Sequence, residues 1–420
     1  MHKLAFIISA VEVPFYSAVI RCLPTEFVDV YLGTRYQSKE DIISFNTLSK
    51  PLFAHISSLL DEGYSVSPLT ADSLSAYKNA VVNRNFYSCM PLFNWKNLRH
   101  MTFMALTHAV DAFFNSGNIA ARLYIAVSQR QARRREDSKV ARDSQAFTQL
   151  MHLPCKMRNE YAYSGPYHIG DWAKKRHWPK DRLRGMLEEK IGCTLDARKP
   201  VVAFLLDEVS HLGQVVAALE RLAPLVNLVV KMLPVPGMAP PIVRGAYVWP
   251  SEDGFAPNLL RFAADFILAG YHSGTLASST MLGLSVIPYY TPLTHEGGRG
   301  VSRKKLGSHK IYLPGNFPGD NVCVDILEYL NPPINLMDTS AILDRMENHS
   351  WWSDYAARLP AGQKNIFGDY CIDNAASKTA TLLVRAITHG TFGADADAVR
   401  LRPEYGTLVQ CRVAAKEQSS

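Results

Sequence analysis

The residues best suited to chemistry lie close together in the second half of the chain. An apolar run, Ala263 to Gly270, is followed by Tyr271-His-Ser-Gly-Thr275, then by Leu276 to Leu284, and then by Val286 to Tyr290. The order reads as strand, polar turn, short helix and strand, with Leu276, Ala277, Thr280, Met281 and Leu284 spaced as one helical stripe. His272, Ser273, Gly274, Thr275, Ser278 and Ser279 gather where a parallel strand hands over to a helix, the position at which α/β proteins bind ligands. Unused N–H groups at a helix start, hydroxyl donors and a glycine that permits close approach suit an anionic diphosphate, so the expected guest is a nucleotide-activated donor. His272 can in addition stabilise charge developing on a departing nucleotide. The plainer reading is that these hydroxyls only cap a helix.

Other candidates stand apart from this turn. The apolar run Met101 to Leu106 ends just before His108, which puts an imidazole at the carboxyl edge of an expected first sheet. There it can take a proton from an attacking hydroxyl near neutral pH, with Asp111 orienting it or serving in its place. Thr291 to Lys305 is polar, Gly-rich and basic, the composition of a mobile active-site loop. Arg299, Arg303, Lys304 and Lys305 in it are candidates to clamp the diphosphate, because a guanidinium fork matches phosphate oxygens. No metal-binding pair of carboxylates stands beside these residues, so the expectation is no obligatory divalent ion and no cofactor beyond the donor substrate itself.

These groups need two sheets to hold them. Short apolar or β-branched runs at Leu4 to Ile8, Phe27 to Leu32, Ser65 to Ser67, Val81 to Asn83, Met101 to Leu106 and Leu123 to Val127 alternate with helix-patterned stretches such as Pro14 to Cys22 and Leu48 to Leu60. Alternation of this kind predicts a parallel sheet with helices on both faces. Tyr161-Ala-Tyr-Ser-Gly-Pro-Tyr167, rich in turn formers, reads as a hinge between domains. A second series follows: strand Val201 to Leu206, amphipathic helix Leu212 to Leu225, strand Val226 to Lys231, a short strand Tyr247 to Trp249, a short helix Pro257 to Ala264, and then the polar turn. Asp338 to Met346, Trp351 to Leu359 and Ala375 to Ile387 read as helices, and the residues from His389 onward as a tail.

Composition agrees with a two-domain α/β protein. The 420 residues are 47% apolar and 20% charged, enough for two separate cores. Glu12 and Pro14 interrupt the apolar start, which reads as a strand followed by a helix and not as a signal peptide. No apolar run approaches the roughly 18 residues of a membrane span. Seven cysteines are scattered singly, a reduced, cytosolic pattern. The net charge of +7 is concentrated at Arg130 to Arg135, Lys174 to His177 and Arg303 to Lys305. Such patches suit anionic lipid head groups or a phosphorylated polymer, or are simply solvated helix faces. No nucleic-acid motif accompanies them. The expected location is cytoplasmic, with the inner face of a membrane within reach.

The order of several segments resembles the C-terminal half of the CDP-glycerol glycerophosphotransferase family. The segments are Gly165-Pro166, Asp196-Ala-Arg-Lys-Pro-Val-Val-Ala-Phe204, Val229-Val-Lys-Met-Leu-Pro234, Ala264-Asp-Phe-Ile-Leu-Ala-Gly-Tyr-His-Ser273, Arg299-Gly300, Leu313-Pro-Gly315 and Asp373-Asn-Ala-Ala-Ser377. The resemblance implies a GT-B-like α/β fold, two doubly wound parallel-sheet lobes facing across a cleft. It divides the chain into an acceptor-side lobe at 1–165, a nucleotide-donor lobe at 166–345, helices at 346–390 that return toward the first lobe, and a tail at 391–420.

That family builds teichoic-acid-like or capsular polymers from a CDP-activated donor. The resemblance therefore implies that Ser273, Arg299, Asp373 and Ser377 lie on the donor side and that His108 takes the place of the family's base. The chain departs from the pattern at Leu233, Gly270, His272, Ala109 and Asn374, where the family has His, Asp, Ser, Gly and Gly. His272-Ser-Gly274 with Ser278 is also similar to the diphosphate turn of many GT-B glycosyltransferases. The expected activity is transfer of a glycerol-phosphate-like or glycosyl group from a CDP- or UDP-linked donor to a polysaccharide or lipid-linked acceptor. A nucleotide-sugar epimerase and a catalytically degenerate adaptor of the same fold stay open beside it.

Overall fold

A computed structural model of the chain describes residues 3–33, 50–70, 72–82, 101–106, 123–126, 160–163, 166–169, 172–206, 212–232, 241–249, 258–271, 273–291, 301–306, 309–314, 322–367 and 371–389. They fall into two compact units. One holds the described residues up to 169 together with 371–389, and the other holds those from 172 to 367.

The first unit begins with β1 (Leu4–Ser9), α1 (Val13–Arg21), β2 (Val28–Gly33), α2 (Lys50–Asp61), β3 (Ser65–Pro68), β4 (Asn79–Val82), β5 (Thr102–Leu106), β6 (Leu123–Ala126) and β7 (Glu160–Tyr163). The strands form one parallel sheet in the order β3-β2-β1-β4-β5-β6-β7. Leu4 of β1 pairs with Val28 on one side and Asn79 on the other. All six residues of β1 are buried, as a central strand covered on both faces requires. The expected hinge is partly strand: Tyr161 and Tyr163 lie in β7, with Tyr161 opposite Tyr124. Aromatic residues favour a pleated, half-buried surface, and the turn formers begin only after them.

The second unit holds α3 (Trp172–Lys175), α4 (Lys180–Ile191), β8 (Val201–Leu206), α5 (Leu212–Leu222), β9 (Asn227–Met232), β10 (Tyr247–Val248), α6 (Asn258–Ala263), β11 (Phe266–Gly270), α7 (Gly274–Met281), β12 (Val286–Tyr290), β13 (Val301–Leu306), β14 (His309–Pro314), α8 (Val322–Tyr329), β15 (Ile334–Asn335), α9 (Thr339–Glu347) and α10 (His349–Phe367). Its parallel sheet runs β10-β9-β8-β11-β12-β15. On one face Val202, Phe204, Leu206, Leu228, Val230, Leu268 and Ile287 meet Val215, Leu219 and Leu222 of α5 and Ile342 and Met346 of α9. Asp265 ties α4 to the sheet, accepting from Arg184 at 2.6 and 2.7 Å and from the Val201 N–H at 2.8 Å.

Two further elements differ from the sequence expectation. Residues 301–305, expected to be the end of a mobile loop, lie in β13, paired antiparallel with β14 so that Arg303 stands opposite Tyr312 and Lys305 opposite Lys310. The helix expected to stop at Leu359 runs through Pro360 to Phe367. An interior proline costs a helix about 3 kcal/mol. Packing beyond it offsets the loss: Ile366 and Phe367 are buried, and Gln363 Nε2 donates to the carbonyls of Thr280 and Met281 at 2.7 and 3.2 Å.

The last helix, α11 (Ala375–His389), belongs to the first unit and packs against α1 and the short turn Tyr167–Ile169. Among the described residues, no helix is long and apolar enough to cross a membrane. The basic segment 130–135 and the tail from 391 lie outside the described residues.

Candidate active site at the β11–α7 turn

The chain order of the second sheet reverses at β8, which has β9 on one side and the later strand β11 on the other. Such a switch point opens a crevice at the carboxyl ends of the strands. The turn from Tyr271 to Ser273 leaves the carboxyl end of β11 at this place.

Local sequence fixes the turn and the helix after it. Ser273 has the extended backbone of an N-cap, φ −78° and ψ 140°, and its hydroxyl accepts the Thr275 N–H at 3.0 Å. The Leu276 N–H reaches the Ser273 carbonyl at 3.1 Å. At the other end Gly283, with φ +71°, closes the helix in a left-handed conformation that L side chains rarely adopt. There the Gly283 N–H donates to the Thr280 carbonyl at 3.1 Å and the Leu284 N–H to the Ser279 carbonyl at 3.0 Å. The buried Cys323 thiol of α8 donates to the Ser273 carbonyl at 3.3 Å, so the turn is also held from behind.

The hydroxyls of this segment do not share one environment. Gly274 and Thr275 are half-buried, whereas Ser273, Ser278, Ser279 and Thr280 are buried. Thr280 Oγ1 donates to the Leu276 carbonyl at 2.8 Å. Ser278, expected to face the phosphates, instead accepts from Arg261 Nη1 at 2.6 Å and donates to the Thr275 carbonyl at 3.3 Å. Because the Ser273 hydroxyl and carbonyl already occupy the N–H groups of Thr275 and Leu276, the Gly274 N–H and the Thr275 hydroxyl are the groups of this turn best placed to meet a ligand.

Arg261 was not singled out by sequence reasoning. It lies on α6, 4% exposed, and Nη2 donates to Asn258 Oδ1. Burial lowers its pKa to about 10. The signal available in the sequence was a lone cation inside the apolar run Leu259-Leu-Arg-Phe262. Lys231, also 4% exposed, stands one residue from the carboxyl end of β9. It alternates with Leu228 and Val230 and so lies on the sheet face away from their core.

His108, Asp111, His272 and Arg299 lie outside the described residues. Asp373 and Ser377 belong to the first unit, in and after the turn that starts α11. Asp373 is exposed, and the buried Ser377 hydroxyl donates to the Asn374 carbonyl at 3.0 Å. The first sheet reverses at β1, between β2 and β4. At the end of β1, the Ser9 hydroxyl donates to Glu12 Oε2 at 2.7 Å, and Glu12 is 1% exposed. Sequence reasoning read Glu12 only as an interruption of the apolar start. Among the described residues, no three His, Cys, Asp or Glu side chains gather as a metal site would need.

No protein-family model matches the chain, and no curated protein matches its sequence. Solved structures do match in fold. The wall teichoic acid polymerase TagF, in a crystal with CDPG, aligns over 93% of this chain and 89% of its own with a TM-score of 0.52 at 9% identity. Anabaena Alr3699/HepE in complex with UDP and glucose aligns over 91% of this chain and 99% of its own, TM-score 0.49, 10% identity. UDP-GlcNAc 2-epimerase from Neisseria meningitidis bound to UDP-GlcNAc aligns over 92% and 100%, TM-score 0.47, 12% identity. At such identities the likeness to TagF is one of fold: two parallel-sheet α/β lobes of the GT-B kind.

Proposed function

We propose that this protein is a GT-B transferase that moves a glycosyl or glycerol-phosphate-like group from a CDP- or UDP-linked donor to a hydroxyl of a bacterial surface polysaccharide or its lipid-linked precursor. The observation that carries this reading is the turn Ser273-Gly274-Thr275, capped at the start of α7 and set at the switch point of the second sheet. A helix start at such a place offers N–H groups and a partial positive charge to a diphosphate. The fold likeness to TagF, whose crystal contains CDPG, supports a CDP-linked donor.

In this scheme the Gly274 N–H, the Thr275 hydroxyl, His272 and Arg299 hold the donor phosphates, and Ser273 shapes the turn. Asp373 and Ser377 are donor-side residues by resemblance. His108, assisted by Asp111, takes the proton of the acceptor hydroxyl as its oxygen attacks the transferred group. For a glycosyl donor the oxygen bonds the anomeric carbon and the nucleoside diphosphate leaves with the bonding electrons. For a glycerol-phosphate donor it bonds the phosphorus and CMP leaves. Peripheral contact with the inner face of the plasma membrane fits the exposed Lys174 and His177 beside Trp178, over whose ring Arg182 lies at 3.5 Å.

Calorimetric titration with CDP-, UDP- and CMP-linked donors tests the reading, and an absence of binding to all of them removes it. His272→Ala is expected to weaken nucleotide binding, whereas His108→Ala spares binding and abolishes turnover. Product formed without an acceptor would replace transfer by epimerisation. Absence of the protein from floated anionic liposomes at low salt would remove the membrane contact.

A further inference from the structure

The Arg261 guanidinium is buried, and among the described residues no carboxylate supplies it with a counter-charge. Nη1 donates to the Ser278 hydroxyl, Nη2 to the Asn258 amide oxygen, and Nε has no partner among the described residues. Both partners are neutral, and among the described residues no carboxylate forms an ion pair with it. With a pKa of about 10 the group is still a cation at neutral pH. A buried unpaired charge is costly, and an apolar side chain of similar volume would join α6 to α7 at lower cost. The retained charge therefore suits a partner that comes and goes.

Its position indicates which partner. Ser278 stands four residues after Gly274, about 6 Å along the helix axis from the first N–H groups. A cation there is shielded from water and salt, and its field adds to the positive end of the helix. We infer that Arg261 supplies the counter-charge for the donor's diphosphate. It acts as a buried positioning residue through Ser278 and the first turn of α7, so that the turn prefers a multiply charged phosphate ester over a neutral nucleoside. This inference rests on the donor reading of the β11–α7 turn.

The test compares wild type, Arg261→Met and Arg261→Lys by titration with CDP, UDP, the nucleosides cytidine and uridine, and inorganic pyrophosphate, together with thermal unfolding. The expected result is that Arg261→Met binds the nucleoside diphosphate and pyrophosphate on the order of tenfold or more weakly. Its nucleoside affinity stays as in wild type, and it unfolds at the same or a higher temperature. Arg261→Lys, which keeps the charge, stays within a few-fold of wild type. A Met variant that binds diphosphates as wild type does overturns the inference and leaves the donor reading standing. So does one that loses nucleoside and diphosphate equally, or one that fails to fold, because Arg261 is then part of the scaffold. A wild type that takes pyrophosphate but no nucleotide removes the donor reading and keeps the anion site. A wild type that takes neither removes both.

Discussion

The Ser278 hydroxyl accepts from the Arg261 guanidinium at 2.6 Å and donates to the Thr275 carbonyl at 3.3 Å, so a single side chain joins a buried cation to the opening turn of α7. The helix start therefore has two layers. In the proposed scheme the Gly274 N–H and the Thr275 hydroxyl meet the ligand, and Ser278 with Arg261 lies one turn behind them. Three predictions concern how this helix and its neighbours are held.

Ser273 should separate capping from recognition. Ser273→Ala removes the acceptor for the Thr275 N–H and is expected to lower stability by about 1 kcal/mol. Ser273→Asp keeps a side-chain acceptor for the Thr275 N–H, while its negative charge opposes a diphosphate. Denaturant unfolding and nucleotide titration of the two variants measure both effects. A Ser273→Asp protein that still binds nucleoside diphosphate as wild type does would move the phosphates away from this turn.

Gly283 should resist replacement for a conformational reason and not a steric one. An added Cβ would meet only Leu359 Cδ2 at an ordinary 3.7 Å, but φ is +71°. Gly283→Ala is expected to cost roughly 1 kcal/mol in denaturant unfolding. Gly283→Asn, which tolerates the left-handed region better, should cost less. Equal losses in the two variants would contradict the assignment.

Tyr355 gives a pH dependence. Burial pushes its phenol up from the ordinary 10.0 to about 12. Below pH 10 the phenol is neutral in both folded and unfolded chains, and its contribution to stability is complete. Between about pH 10 and 12 the unfolded chain ionises first, so stability falls, by at most roughly 3 kcal/mol. Tyr355→Phe should flatten this alkaline fall. Unfolding free energies at pH 9, 10 and 11 that run parallel in the two proteins would show that burial does not hold the phenol neutral.

Much of the fold was legible because its signals are local. The runs Leu4 to Ile8, Val201 to Leu206 and Val286 to Tyr290 fall on β1, β8 and β12 within one residue, since apolar strand runs bounded by turn formers need only neighbouring residues to be read. The β11–α7–β12 unit was legible for the same reason, although its helix, expected over Leu276 to Leu284, spans Gly274–Met281 and closes at Gly283. β7 was misread because Tyr161 and Tyr163 adjoin Ser164-Gly-Pro166, and their partner Tyr124 is far away in sequence. The path of α10 through Pro360 was likewise set by Gln363 reaching Thr280 and Met281, contacts that no local window contains.

The sequence by itself determined that this is an α/β chain with two series of parallel strands, and that a polar, glycine-bearing turn stands at the end of one strand of the second series. Periodicity and capping chemistry act within a few residues, which is why they can be read without a fold. Only the tertiary structure decided which hydroxyls of that turn are spent inside the protein. It alone paired Ser278 with Arg261, gave that cation no carboxylate among the described residues, and set Asp373 and Ser377 in a different compact unit from Ser273. Burial and charge compensation depend on residues brought together from distant parts of the chain, and no spacing in the sequence encodes them.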